Sequence, residues 1–272
     1  MTDRAEVHFA QVSVVPSYRP PYAVDVTLDI VELEDRQRRM PWPRQLGRLL
    51  EDPLGLCGQW IAYEELGEEL FFTGQGGSMS CAALHCLWGF SGELAPYGAA
   101  FDELVPQNIE ALREVLKLHQ DEKMRAAAAY LLAHCGDAKI LAAALAPSMT
   151  DINYTVRNAV MRVLGQAARR HAREMDLSLS LVIRALDFPT VYDRNKAITL
   201  VRFLVDDPAN KVKLLNEGGE VLLTLLDLDQ AANLGPAFHL LRQLTGADHA
   251  EDDLTAWRAE VKAAQLAANR EP

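Results

Sequence analysis

An internal repetition of apolar positions constrains this 272-residue chain more than any other feature of its sequence. With Met124, Val156, Asp193 and Asn233 set as first positions, the pairs Leu131-Leu132, Val163-Leu164, Leu200-Val201 and Leu240-Leu241 fall at the same two offsets. Ala128-Ala129, Val160-Met161, Ala197-Ile198 and Ala237-Phe238 share an earlier pair of offsets, and a weaker fifth copy starts at Met79. Recurrence at 32 to 45 residues with helical spacing is the signature of stacked supersecondary units.

Each aligned segment is preceded by another amphipathic stretch: Val105 to Leu118, Ala138 to Ala146, Met175 to Leu186, and Ala209 to Leu226. A unit of two helices cannot bury its apolar stripe alone, so neighbours must stack into a continuous, curved core. The breakers Gly136, Pro147, Pro189, Pro208 and Gly246 fall between these elements. The pattern therefore predicts a mainly α protein, an α-solenoid of two-helix repeats.

The N-terminal third reads differently. Val7, Phe9, Val12 and Val14, then Val24, Val26, Leu28 and Ile30, alternate with mostly polar residues, which is the period of a strand. The connector from Pro16 to Tyr22 holds three prolines and continues neither strand, so a β-hairpin is expected. Two strands are marginal in water. Packing on helices, a third strand from Glu69 to Thr73, or pairing with a second chain would each complete the sheet, and the last makes a homodimer through the hairpin conceivable. Residues 36–78 are broken by Pro41, Pro43, Pro53 and several glycines, with short helical stretches near Leu46 to Leu50 and Gln59 to Leu66. An apolar helix from Met79 to about Phe90 should follow. The expected organisation is a hairpin over 1–35, an irregular helical cap over 36–78 and a solenoid over 79–272.

Within the repeats, Asp151-Ile-Asn-Tyr-Thr-Val156-Arg157 through Leu164-Gly165 resembles the turn and second helix of a HEAT repeat. Asn210 to Leu226, with Gly218 inside it, is similar to an armadillo repeat, and Leu244 to Trp257 resembles the closing element of many bacterial HEAT-repeat proteins. The likeness covers residues 75–265. It implies a HEAT/armadillo-like fold in which second helices line a concave face, and carries no activity.

Arg125, Arg157 and Arg194 share one repeat position, beside Asp121, Asp151 and Asp187 or Asp193. Asp–Arg pairing between neighbouring units is the expected role, since charges at helix N-termini satisfy orphan amides as well as each other. Six positions into each copy come His85, Tyr130, Arg162, Thr199 and His239, with Asn158 and Asn195 two in and Arg202 and Arg242 nine in. These form a polar, mildly cationic strip away from the apolar offsets. The expected partner-binding surface is therefore Tyr130, Asn158, Arg162, Asn195, Thr199, Arg202, His239 and Arg242.

No catalytic, cofactor or metal site is expected. Cys81, His85, Cys86, His134 and Cys135 lack the paired spacings of a tetrahedral zinc centre. The Gly74 to Ser78 turn lacks the lysine of a phosphate loop, so Ser78 reads as a helix N-cap, and no nucleophile elbow occurs. Four cysteines make no disulfide framework, and neither a signal-peptide run nor about 18 apolar residues in a row appears, which together point to a reducing cytoplasm.

Formal charge is −11, and residues 1–105 carry 7 Lys and Arg against 16 Asp and Glu, a net −9. Such a balance disfavours nucleic acid and anionic membrane and suits a basic protein partner, with Glu32 to Asp35 and Glu64 to Glu69 as acidic docking clusters. The expected function is a non-enzymatic scaffold or adaptor that binds another protein. An inhibitor or immunity protein against a basic toxin is one alternative. A HEAT-fold enzyme of the bilin lyase or DNA glycosylase kind is another, and the acidic charge weighs against its DNA-binding form.

Overall fold

The computed structural model describes residues 6–16, 24–42, 47–76, 81–228 and 230–269. The chain is mainly helical with one small antiparallel sheet. Its elements are β1 (Val7–Pro16), β2 (Val24–Glu32), α1 (Arg36–Arg39), α2 (Leu56–Phe72), α3 (Ala95–Leu104), α4 (Ile109–Leu118), α5 (Glu122–Leu131), α6 (Ala138–Leu145), α7 (Tyr154–His171), α8 (Leu179–Ala185), α9 (Val191–Leu204), α10 (Pro208–Asp227), α11 (Ala231–Thr245) and α12 (Leu254–Ala268). They fall into two compact units, residues 42–177 and residues 1–41 with 178–272.

Side-chain caps start several of the helices. Asn153 accepts from the Thr155 amide at α7, Asp137 from Lys139 and Ile140 at α6, and Asp207 from Ala209 and Asn210 at α10, whose first residue is Pro208. Thr190 accepts from the Asp193 amide and donates its hydroxyl to the Asp193 carboxylate, closing the first turn of α9. Gly136 and Gly246 take left-handed φ angles of 76° and 77° at helix ends, a conformation open to glycine without cost.

In the unit of residues 42–177, α5 packs on α2, α4 and α7, and α6 on α7. The predicted offsets are its core: Leu131, Leu132, Val160, Met161, Val163 and Leu164 are buried. In the other unit α9 packs on α8 and α11, and α10 on α8, α11 and α12, around Ala197, Leu200, Val201, Leu240 and Leu241. Trp257 of α12 is buried there edge-on to Phe238, with its indole N–H donating to the Ala250 carbonyl.

Residues 47–104 depart from expectation. Glu69 to Phe72 end α2 and form no third strand. The helix expected from Met79 to Phe90 is absent over 81–90, and its start, with the Ser78 cap, lies outside the described residues. Non-local anchoring explains this. The Trp88 ring sits on Gly67 so closely that a Cβ there would lie 2.3 Å from it, and Phe90 covers Gly98 in the same way. Gly89, at φ 84°, turns the chain between the two rings. The Tyr63 hydroxyl donates to the Gly89 carbonyl and accepts from the Trp88 amide.

β1 and β2 pair with Val12 opposite Leu28 and Val14 opposite Val26; the hairpin's connector, 17–23, lies outside the described residues. Ser13, Asp29 and Val31 point inward and are buried. Asp29 accepts from the Val191 amide and pairs with Arg194, which attaches the hairpin to the first turn of α9.

Candidate functional site

Two groups of polar residues on α5, α7, α9 and α11 look alike in sequence and differ in what surrounds them. Arg125, Arg157 and Arg194 stand 2–5% exposed at the starts of α5, α7 and α9. In each, Nη1 donates to the carbonyls six and five residues upstream: His119 and Gln120, Asp151 and Ile152, Phe188 and Pro189. The guanidinium thereby satisfies carbonyls of the preceding turn that no helix amide reaches. Arg125 also makes a two-point pair with Asp151, at 2.9 and 3.0 Å. Arg157 lies 4.0 Å over the Trp42 ring.

Arg194 corrects the expectation. Its acidic partner is Asp29 of the hairpin, while Asp187 pairs with Arg38 and Arg39 and Asp193 accepts from Thr190. The Arg194 Nη2 donates both to Asp29, 165 residues away in sequence, and to the Gln230 side-chain oxygen at 3.0 Å. The row is structural, since internal carbonyls and carboxylates take up most of its donors; the Arg194 Nε is the exception, buried without a partner among the described residues.

The expected strip divides between the two units. Asn195, Thr199 and Arg202 share one face of α9, with His239 and Arg242 on α11. Asn195 donates to the Ala232 carbonyl and Thr199 to the Asn195 carbonyl, so both serve the packing of α9. Arg202, His239 and Arg242 line an open depression of about 560 Å³ with Gln243 and Asp248. Arg242 pairs there with Asp248 at 2.8 Å. The depression takes small polar groups and lacks deep apolar walls.

In the other unit α5 brings Tyr130 and α7 brings Asn158 and Arg162. Tyr130 is only 8% exposed and stacks on Trp60 of α2 at 5.0 Å and 13°. His85 packs beside Tyr130, at 5.2 Å between ring centroids, and is almost fully buried. It belongs to the interior and leaves the strip, because residues 81–90 are an anchored loop. Neither imidazole nitrogen of His85 finds a partner among the described residues. Burial, with Arg162 and His134 adding to it, drives its pKa down to about 3 and keeps the ring neutral.

Arg162 distinguishes this part of the strip. Its Nε is buried without a partner, and among the described residues no carboxylate comes within ion-pair distance. Glu64 of α2 is near enough to feel the cation. Burial raises its carboxyl to about 7, with the Trp60 indole and Arg162 pulling the other way. The Tyr130 phenol is pushed up to about 12 by burial. A half-buried guanidinium with an unused donor, an aromatic wall and a carboxyl that titrates near neutrality can hold a carbonyl or carboxylate while offering a proton donor or acceptor beside it.

Sequence reasoning placed Glu64 in an acidic docking cluster and missed its half-buried position beside the Trp60 indole, which is core. The i, i+4 spacing of the two on α2 was the available signal. It also missed the pair between His134 Nδ1 and Asp102, 2.7 Å apart, which no spacing announces. Cys81 and His85 do not share a helix; the Cys81 thiol lies 3.5 Å from the His85 carbonyl, and all four cysteines are free. Among the described residues no group of three or more His, Cys, Asp or Glu side chains is placed to hold a metal ion, and no helix is long and apolar enough to cross a membrane. Comparison with protein-family models, with curated proteins and with solved structures found no match.

Proposed function

We propose that this chain is a non-enzymatic binding protein built of HEAT/armadillo-like two-helix units, which takes up a segment of another protein at the polar positions of α5 and α7 around Arg162. The paired packing of α4 with α5, α6 with α7, α8 with α9 and α10 with α11 supports the repeat reading. The observation that carries the binding reading is Arg162, a half-buried cation whose Nε has no acceptor and which, unlike Arg194 with its equally orphaned Nε, has no ion pair among the described residues. A buried donor left unpaired costs free energy that an incoming acceptor recovers. The buried Tyr130, near enough to feel the Arg162 charge, gives low-polarity surroundings that strengthen such a bond.

The test is selection of linear peptides from a display library on the full chain. Selected peptides should lose about tenfold or more in affinity on Arg162→Met, the size expected for one charge-assisted hydrogen bond. They should keep it on Arg113→Met, which alters an exposed arginine of α4 paired with Glu110. Equal binding to both variants sinks the assignment of the site.

A second reading, an inhibitor that neutralises a cationic protein, is supported by the charge of −11 and its concentration in residues 1–105. Electrostatic steering makes association with such a partner fall steeply with salt. An affinity for a basic nuclease that is insensitive to ionic strength would remove that reading.

A further inference from the structure

The hairpin has its polarity reversed. Its inner face, toward α9, buries Ser13 and Asp29 beside a single valine, Val31. Its outer face carries Val12, Val14, Val24, Val26, Leu28 and Ile30, each 41–66% exposed. The register sets these residues directly opposite one another, Val12 with Leu28 and Val14 with Val26, so they form one continuous aliphatic surface. An ordinary half-buried sheet places such residues against the core. Here Asp29 fixes the register the other way. A slip by one residue would restore apolar burial but would remove the acceptor of Arg194 and the Val191 amide.

We infer that the outer face of the hairpin is a homodimer interface, in which two copies stack their aliphatic faces about a two-fold axis into a four-stranded β-sandwich. Strands of nine and ten residues make a face about 30 Å long and 10 Å wide. Stacking two removes on the order of 1,000 Å² of accessible surface, the small end of specific complexes and of the hydrocarbon character found in homodimers. The six residues bring no charge, which lets two copies that each carry −11 meet there without apposing like charges. They also offer no polar group by which a different partner could be selected, whereas a second copy matches the face in width, strand direction and side-chain size. An acidic chain is repelled by an anionic bilayer, which disfavours a lipid occupant. The contact is face to face, and differs from edge pairing, which would leave the aliphatic surface wet.

Light scattering after size exclusion on the full chain, over a concentration series, reads the outcome. The mass should reach about twice the monomer's 30.1 kDa. Val26→Glu and Val12→Lys should each return it to the monomer with circular dichroism unchanged, because both positions are exposed within one chain, and should abolish the concentration dependence of melting that a dimer imposes. The milder Val26→Thr, which keeps shape and strand propensity, should raise the dimer dissociation constant about tenfold by burying two hydroxyls. A wild-type monomer at every concentration overturns the proposal. So does a dimer that survives Val26→Glu, which would indicate edge pairing, and so does co-sedimentation of the monomer with phosphatidylcholine vesicles.

Discussion

The buried arginine row and the surroundings of Arg162 use the same residue type on the same set of helices, yet one is spent on the fold and the other is not. Arg125 has both edges of its guanidinium occupied, by the carbonyls of His119 and Gln120 and by Asp151. Arg162, on α7, has a buried Nε with nothing to donate to. A cation whose acceptors come from its own chain stabilises, and a cation denied them is poised for a ligand. The difference comes from the turn that precedes each side chain, because only residues at the starts of α5, α7 and α9 meet exposed carbonyls.

The sharpest way to break this contrast is Arg125→Ala. It leaves Asp151 buried without its cation and two carbonyls uncapped, and should cost about 3–5 kcal/mol in denaturant unfolding. A loss under 1 kcal/mol would mean that water replaces the pair, and that the row is less structural than its burial indicates.

Next in size are two pH limbs expected of the Arg162 neighbourhood. His85 has its pKa lowered to about 3, so its contribution is complete above about 6.5 and is lost as pH falls toward 3. Glu64 has its pKa raised to about 7, so its contribution is complete below about 4.5 and is lost as pH rises through 7. Each limb should amount to about 1–3 kcal/mol, with the sum greatest near pH 5 to 6. Urea titrations across pH should show His85→Phe flattening the acid side alone and Glu64→Gln the alkaline side alone. If neither limb moves, these groups sit in wetter surroundings than the packing of Trp60 and Tyr130 describes.

Smallest is Arg162→Met, which should change stability by less than about 0.5 kcal/mol, or raise it, since it removes an unsatisfied donor and keeps the aliphatic stem. Differential scanning calorimetry beside Arg125→Ala gives the comparison directly. A loss comparable with that of Arg125→Ala would place Arg162 in the structural row.

Much of the helical architecture was legible in the chain. The apolar offsets at 131–132, 163–164, 200–201 and 240–241 are buried because a 3.6-residue period admits one inward face. The breakers and caps lie where local chemistry puts them, and the alternation of valines announced both strands. The Asp–Arg pairing was visible in part, through Arg125 and Asp151. Of the strip, Tyr130, Asn158 and Arg162 lie in one unit and Asn195, Thr199, Arg202, His239 and Arg242 in the other, and the sequence could not distinguish the occupied members from the unoccupied one.

By itself, then, the sequence determined what short-range rules govern: helix and strand periods, capping, left-handed glycines and net charge. Tertiary structure alone decided three things. It turned residues 81–90 from an apparent helix into an anchored loop, because Trp88 and Phe90 find glycine seats on other helices. It gave Arg194 to Asp29 and so turned the valines of the hairpin outward. It left Arg162 beside Glu64 with a donor unused. All three depend on which side chains meet across long sequence separations, and local periodicity carries no record of those meetings.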